Sequence, residues 1–140
     1  MRLWGTYHDY PEIDIVGDRD GLRVLAGAGK QAQQLTLSLD EPPLAFREFG
    51  DALDAVRIEP DDLGDPRICY RRSGKALIVS GSSGEIARLF GGNIDRLAAG
   101  PESKNGIPSH LHLDPTSDPE RRYYAPDSAA LVVGFPASGE

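Results

Sequence analysis

Hydrophobic and polar positions are most regular between Lys75 and Gly100. Lys75-Ala76-Leu77-Ile78-Val79-Ser80 reads as a strand. After it, Ile86, Leu89, Phe90, Ile94 and Leu97 recur at helical spacing, with Arg88, Asp95 and Arg96 mainly on the other face. Ser82-Ser83-Gly84-Glu85 has the form of a capping box. Its hydroxyl can accept from an orphan N–H, and its carboxylate can reach back to the N-cap N–H. Gly100-Pro101 predicts the helix end, the glycine by allowing a left-handed cap and the proline by refusing to continue.

The first third of the chain carries a similar pattern. Pro11 to Gly17 alternates apolar and polar, as a half-buried strand does. A helix follows, with Asp18 or Asp20 as its cap and Leu22, Leu25, Ala26 and Ala32 facing inward. Gly27 and Gly29 weaken that helix by roughly 1 kcal/mol each relative to alanine. At an offset of 64, Ile13 matches Leu77, Ile15 matches Val79 and Gly17 matches Gly81. Leu22, Leu25 and Gly27 match Ile86, Leu89 and Gly91 in the same way. The pattern predicts an internal βα repeat whose two helices lie on the same side of one sheet.

Further strands are predicted at Gln34–Leu39, Val56–Glu59, Arg67–Arg72, Ser109–Leu113 and Ala130–Phe135, with an N-terminal strand or arm around Trp4 and Tyr7. Ser73-Gly74 makes a hairpin of the Arg67–Arg72 strand and its successor. Leu44, Phe46, Phe49 and Leu53 suit a short helical turn or loop, and Glu102–Pro108 reads as a loop. The sum is an α+β two-layer sandwich in one domain, residues 1–140. It has a mostly antiparallel sheet of about six strands with two helices on one face.

Composition narrows the partners. No run of about 18 apolar residues is present, and the N-terminus lacks a basic region followed by an apolar stretch. A cytoplasmic protein without membrane association is expected. The net charge is −7. Residues 1–70 hold 14 acidic and 7 basic side chains, whereas residues 71–140 hold 8 of each. Nucleic acid is not an expected partner, because phosphate contacts need a basic surface. Asp40, Glu41, Glu48, Asp51, Asp54, Glu59, Asp61, Asp62 and Asp65 crowd one irregular segment. Such a segment is either a solvated face or a surface for a basic protein partner.

Reactive chemistry is sparse. Cys69, between Ile68 and Tyr70, reads as a packed strand residue, and His8 as a surface residue beside Asp9. His110, His112 and Asp114 share one face of a strand, which is the best metal-ligand pattern in the sequence. A half-buried strand whose outer face happens to hold two histidines explains it more simply, because a lone His-x-His lacks a placed third and fourth ligand and Pro115 follows Asp114. Gly81-Ser82-Ser83-Gly84 precedes a helix without a Walker lysine, and Ser80 and Ser82 sit in no Gly-x-Ser-x-Gly elbow. No enzyme and no cofactor are expected.

The order of elements in the second half resembles the immunity protein 32 family of bacterial polymorphic toxin systems. The resemblance covers roughly residues 68–134. It rests on the strand ending Leu-Ile-Val-Ser-Gly, the helix with Ile86, Leu89, Asn93, Ile94 and Leu97, and the His110-Leu111-His112-Leu113 strand. It closes on Tyr123-Tyr124, and its most specific part is Ala125-Pro126-Asp127-Ser128 leading into Leu131-Val132-Val133. It implies a small α+β protein that binds and neutralises a toxin. On that reading the acidic residues Asp40, Glu41, Glu48, Asp51, Asp54, Asp61 and Asp62 face a basic toxin domain, with Phe46 and Phe49 as anchors. The polar sheet face is compatible with a homodimer. The alternatives are a binding or structural domain with another partner, and a metal-dependent enzyme built on the two strand histidines.

Overall fold

The computed structural model describes residues 1–8, 12–47, 50–113, 115 and 122–137, with the side chains of Phe46 and Arg47 undescribed. A hairpin opens the chain, β1 (Leu3–Tyr7) and β2 (Glu12–Gly17), followed by helix α1 (Arg19–Gln31) and strand β3 (Leu35–Ser38). A single helical turn α2 (Leu44–Arg47) leads to β4 (Asp51–Leu53) and β5 (Ala55–Pro60). The second half opens on another hairpin, β6 (Cys69–Ser73) and β7 (Ala76–Gly81). A composite helix α3 follows, running through an α turn (Ser83–Glu85), a π segment (Ile86–Gly92) and an α segment (Asn93–Ala99). A ribbon of β8 (Ser103–Lys104) and β9 (Ile107–Pro108) then leads to β10 (His110–Leu113) and β11 (Ala130–Gly134).

The α+β class is as expected, but the strands divide differently. Instead of one sheet of about six, there is a five-stranded sheet ordered β10-β11-β2-β1-β4, a four-stranded sheet ordered β3-β5-β7-β6, and the two-stranded ribbon. The ribbon replaces the predicted Glu102–Pro108 loop. Asn105 and Gly106 both adopt positive φ, the conformation a two-residue primed turn requires.

The predicted repeat is present and is interleaved. Each half supplies a hairpin, a helix and two strands that extend the other half's hairpin, with β4 added in the first half and the β8–β9 ribbon in the second. The helix carries the chain from its own hairpin's sheet into the other one. In the five-stranded sheet, Leu131 and Val133 pair in parallel with Ile13 and Ile15. In the four-stranded sheet, Val56 and Ile58 pair in parallel with Leu77 and Val79. The outer strands follow: Leu111 and Leu113 lie opposite Val133 and Leu131, and Leu35 and Leu37 lie opposite Ile58 and Val56. Apart from β4, which has no counterpart, the two sheets match strand for strand and register for register.

One core joins these parts. Leu22, Leu25 and Ala26 of α1 and Ile86, Phe90, Ile94 and Ala98 of α3 are buried with Ile15, Val56, Val79 and Leu131 from both sheets. The helices touch backbone to backbone. A Cβ on Gly29 would stand 2.8 Å from Gly91 Cα, and one on Gly91 would stand 2.5 Å from Lys30 N. The buried positions 86, 90, 94 and 98 are spaced by four at every step. In a 3.6-residue helix each such step drifts by about 40° around the axis. The wider π turn absorbs that drift and keeps the stripe on one face. Asn93 Nδ2 donates to Leu89 O at 2.6 Å beside the widened turn. The expected inward Leu89 and Leu97 are half-buried instead.

The helix ends are partly as read. Asp18 caps α1, accepting from Gly21 N at 2.8 Å. Ser82 caps α3, accepting from Glu85 N at 3.2 Å. The reciprocal half of the box is absent, because Ser82 N donates to Pro66 O and the Glu85 carboxylate pairs with Arg88. Gly100 ends α3 in an extended conformation (φ −88°, ψ −174°), not a left-handed one.

The helix contact makes a paired prediction. Gly29→Ala should destabilise the protein by about 1–3 kcal/mol through overpacking. Gly27→Ala, two residues away with no other element packed within 4 Å of its new methyl, should stabilise it by about 0.5–1 kcal/mol. Urea unfolding of the two variants measures both signs.

Candidate functional site

The acidic segment does not form one surface. β5 separates it into two clusters whose ends lie roughly 20 Å apart, the length of a six-residue strand. Around β4, at the edge of the five-stranded sheet, Glu41, Asp51 and Asp54 are exposed beside a cleft of about 220 Å³ floored by Pro42 and Leu53. Asp51 and Asp54 make no side-chain hydrogen bond or ion pair among the described residues. Asp40, at the same end, serves the fold: its carboxylate accepts from Leu3 N at 2.9 Å. Phe46 lies in α2, while Glu48 and Phe49 fall outside the described residues.

At the other end of β5 the carboxylates are engaged locally. Asp61 accepts from Leu63 N and Gly64 N, and Asp62 accepts from the backbone N and hydroxyl of Ser83 at the start of α3. Those Ser83 bonds hold the Asp62 carboxyl below its ordinary range. Asp65 is gripped by the Arg67 guanidinium at 2.6 Å, which brings its pKa down to about 2. Glu59 pairs with Arg57 at 2.8 Å.

The outer face of the five-stranded sheet carries a different group. His8 lies just past β1, with Glu12 and Asp14 on β2. His8 Nε2 is 2.8 Å from Asp14 Oδ2 and 4.0 Å from Glu12 Oε2. His8 N donates to Glu12 O at 3.1 Å, closing the hairpin beneath them. The side chain of His8 is only 13% exposed, so it is not the surface residue its neighbours in sequence suggest. A groove of about 430 Å³ runs from this cluster across Val16, Val132 and Gly134 to Ile107, Pro108 and His110. The usable signal was a histidine and two carboxylates at positions 8, 12 and 14, flanking a hairpin turn.

The histidines of the predicted metal pattern do share a face. The His110 and His112 rings meet edge to face at 5.1 Å, both exposed, with His110 Nδ1 3.0 Å from Pro108 O. Asp114 lies outside the described residues. Among the described residues, His110 and His112 belong to no cluster of three metal-ligating side chains, whereas His8, Glu12 and Asp14 form one.

The Tyr123–Ser128 segment is structural. Ile68 N donates to Tyr123 O, Ala125 N to Ile68 O, and Ala129 N to Tyr70 O, so the segment runs alongside β6. Ser128 Oγ accepts from Tyr70 N at 2.9 Å, and the buried rings of Tyr70 and Tyr124 stand 6.0 Å apart. Burial, together with Tyr124, pushes the Tyr70 phenol well above its ordinary pKa. Cys69 is half-buried with Sγ 3.9 Å from Asp127 Oδ1. Burial and the adjacent carboxylate push its thiol up, opposite to what a nucleophilic cysteine needs.

A family model described as Immunity protein 32 matches residues 88–136. The matched stretch runs from within α3 through β11 and past it, about a third of the chain, and includes Tyr123–Ser128, His110 and His112. It contains neither the acidic segment nor His8, Glu12 and Asp14. No curated protein and no solved structure matches the chain. No helix among the described residues is long and apolar enough to cross a membrane.

The Asp65–Arg67 pair gives a titration prediction. A carboxyl whose pKa is lowered by folding stabilises the fold above its ordinary value of 3.8, and that contribution is lost as pH falls toward about 2. In Arg67→Ala, the NMR-detected midpoint of Asp65 should climb from about 2 back toward 3.8.

Proposed function

We propose that this protein is an immunity protein that binds a cognate bacterial toxin and blocks it without catalysis. The match of residues 88–136 to the immunity protein 32 model carries the reading. The fold supports it: a rigid two-sheet body offers surfaces, and the cysteine and the buried tyrosines are tied into packing instead of chemistry.

The toxin surface we propose is the β4 end, not the whole acidic segment. There Glu41 and Asp54 line a small cleft at a sheet edge, and Asp51 stands exposed on the edge strand, β4. Asp61, Asp62 and Asp65 are occupied in holding a turn and the start of α3. A basic toxin cleft would gain complementary charge at β4 and would be steered to it over a Debye length of about 8–10 Å. The first seventy residues bring the whole net charge of −7 to this encounter.

Co-expression with a toxin encoded beside its gene tests the reading. The protein should rescue growth and co-purify with the toxin in a fixed ratio. Asp51→Lys combined with Asp54→Lys should weaken the complex at least about tenfold and flatten its salt dependence, with unfolding unchanged. Rescue by a protein that does not bind the toxin rejects the inhibitor reading. Unchanged affinity and salt dependence in the double variant reject the β4 surface.

A further inference from the structure

We infer that His8, Glu12 and Asp14 form a binding site for a first-row divalent metal ion such as zinc. Their ligand atoms all lie within 4.8 Å of one another. Tetrahedral zinc with bonds of about 2.0–2.2 Å sets its ligand atoms roughly 3.3–3.6 Å apart. The separations of 2.8 Å and 4.0 Å from His8 Nε2 bracket that value, so small side-chain rotations suffice. Two carboxylates supply the two negative charges that a divalent ion neutralises. The imidazole favours zinc and its neighbours over calcium or magnesium, which prefer oxygen.

The site is preformed by the backbone. The His8–Glu12 hydrogen bond fixes the hairpin, and Glu12 and Asp14 share a face of β2 because strand side chains alternate. Gly50 lies against the edge of the His8 ring. A Cβ there would stand 2.9 Å from Cε1 and 3.0 Å from Nδ1, while Nε2 lies toward the carboxylates. Cavities of about 430 Å³ and 300 Å³ adjoin the cluster and leave room for a water or a partner's atom as a further ligand.

The repeat supplies an independent argument. The pairing registers place Ser73, Ala76 and Ile78 of the β6–β7 hairpin where His8, Glu12 and Asp14 stand in the β1–β2 hairpin. Ala76 and Ile78 are buried, and the same hairpin is made without any titratable group at these positions. The fold therefore does not require the cluster in the first half. A half-buried imidazole with two carboxylates, found in only one of two equivalent hairpins, fits a ligand site better than a packing need.

Untagged protein, stripped with chelator and titrated with zinc chloride by calorimetry, tests this. One zinc per chain should bind with a dissociation constant of about 10 μM or tighter. Asp14→Asn, which keeps the side-chain shape, and His8→Gln should each weaken it at least about tenfold. Zinc should raise the melting temperature of the unaltered protein and not that of Asp14→Asn. No heat up to about 1 mM zinc overturns the site, and the short His8–Asp14 contact is then only an ion pair. Binding that survives Asp14→Asn but is lost in His112→Ala also overturns it, and moves the metal to the strand histidines.

Discussion

The crossing of α1 and α3 at Gly29 and Gly91 is the contact on which the other packing depends. Each helix leaves one sheet and leads the chain toward the other, so this approach helps set how both sheets sit on their shared core. A side chain at either position would come within 2.5–2.8 Å of the facing backbone and force the helices to shift. Ile86, Phe90 and Ile94 would then lose their fit against Leu22 and Leu25, and both sheets would part from their shared core. The glycines weaken the helices locally. Close backbone approach offsets that loss, because dispersion contacts across a dry interface fall off steeply with distance.

Interleaving follows from the same geometry. Neither half contains a complete sheet. The β1–β2 hairpin is extended by β10 and β11, and the β6–β7 hairpin by β3 and β5. Each half thus covers the exposed edge of the other's hairpin, the edge that would otherwise be open to pairing with another chain. The remaining gap beside β6 is closed by the Tyr123–Ser128 segment, just as β4 closes the side of β1. This accounts for the density of hydrogen bonds from so irregular a stretch.

Much of this was legible where the signal was local. The capped start of α3, the β6–β7 hairpin (whose turn falls at Gly74-Lys75, one residue past the expected Ser73-Gly74) and the offset of 64 between Ile13 and Leu77 all depend on neighbouring residues or on a pattern copied twice. The pairing of Leu131 with Ile13 was not legible, because residues more than a hundred positions apart leave no periodic trace of having met. The π segment was hidden for a related reason. The four-residue spacing of Ile86, Phe90, Ile94 and Ala98 is visible, but Leu89 and Leu97 offer an equally good 3.6-residue stripe. Only the contact with α1 decides between them. For the surface, composition identified acidic residues but not their employment. Asp62 and Asp65 are aspartates like Asp51, yet one holds the start of α3 and the other an arginine. The cluster at His8 was missed because its members flank a turn, and a linear reading compares His8 first with Asp9.

Two equivalent halves also separate what folding demands from what it leaves open. The core positions match: leucine or isoleucine faces isoleucine, leucine or valine at each paired register, and glycine faces glycine between the helices. The surfaces do not. One half is neutral and the other carries seven net negative charges, and one hairpin bears an imidazole and two carboxylates where the other bears serine, alanine and isoleucine. Stability cannot explain differences that the equivalent half tolerates in reverse. The divergent groups converge on the five-stranded sheet, the acids at its β4 edge and the His8 cluster on its outer face. The match to the immunity protein 32 model includes the later part of α3 and the strands β10 and β11 that complete that sheet from the second half. The second half contributes β10 and β11, with His110 and His112, to a sheet whose acidic edge and His8 cluster come from the first.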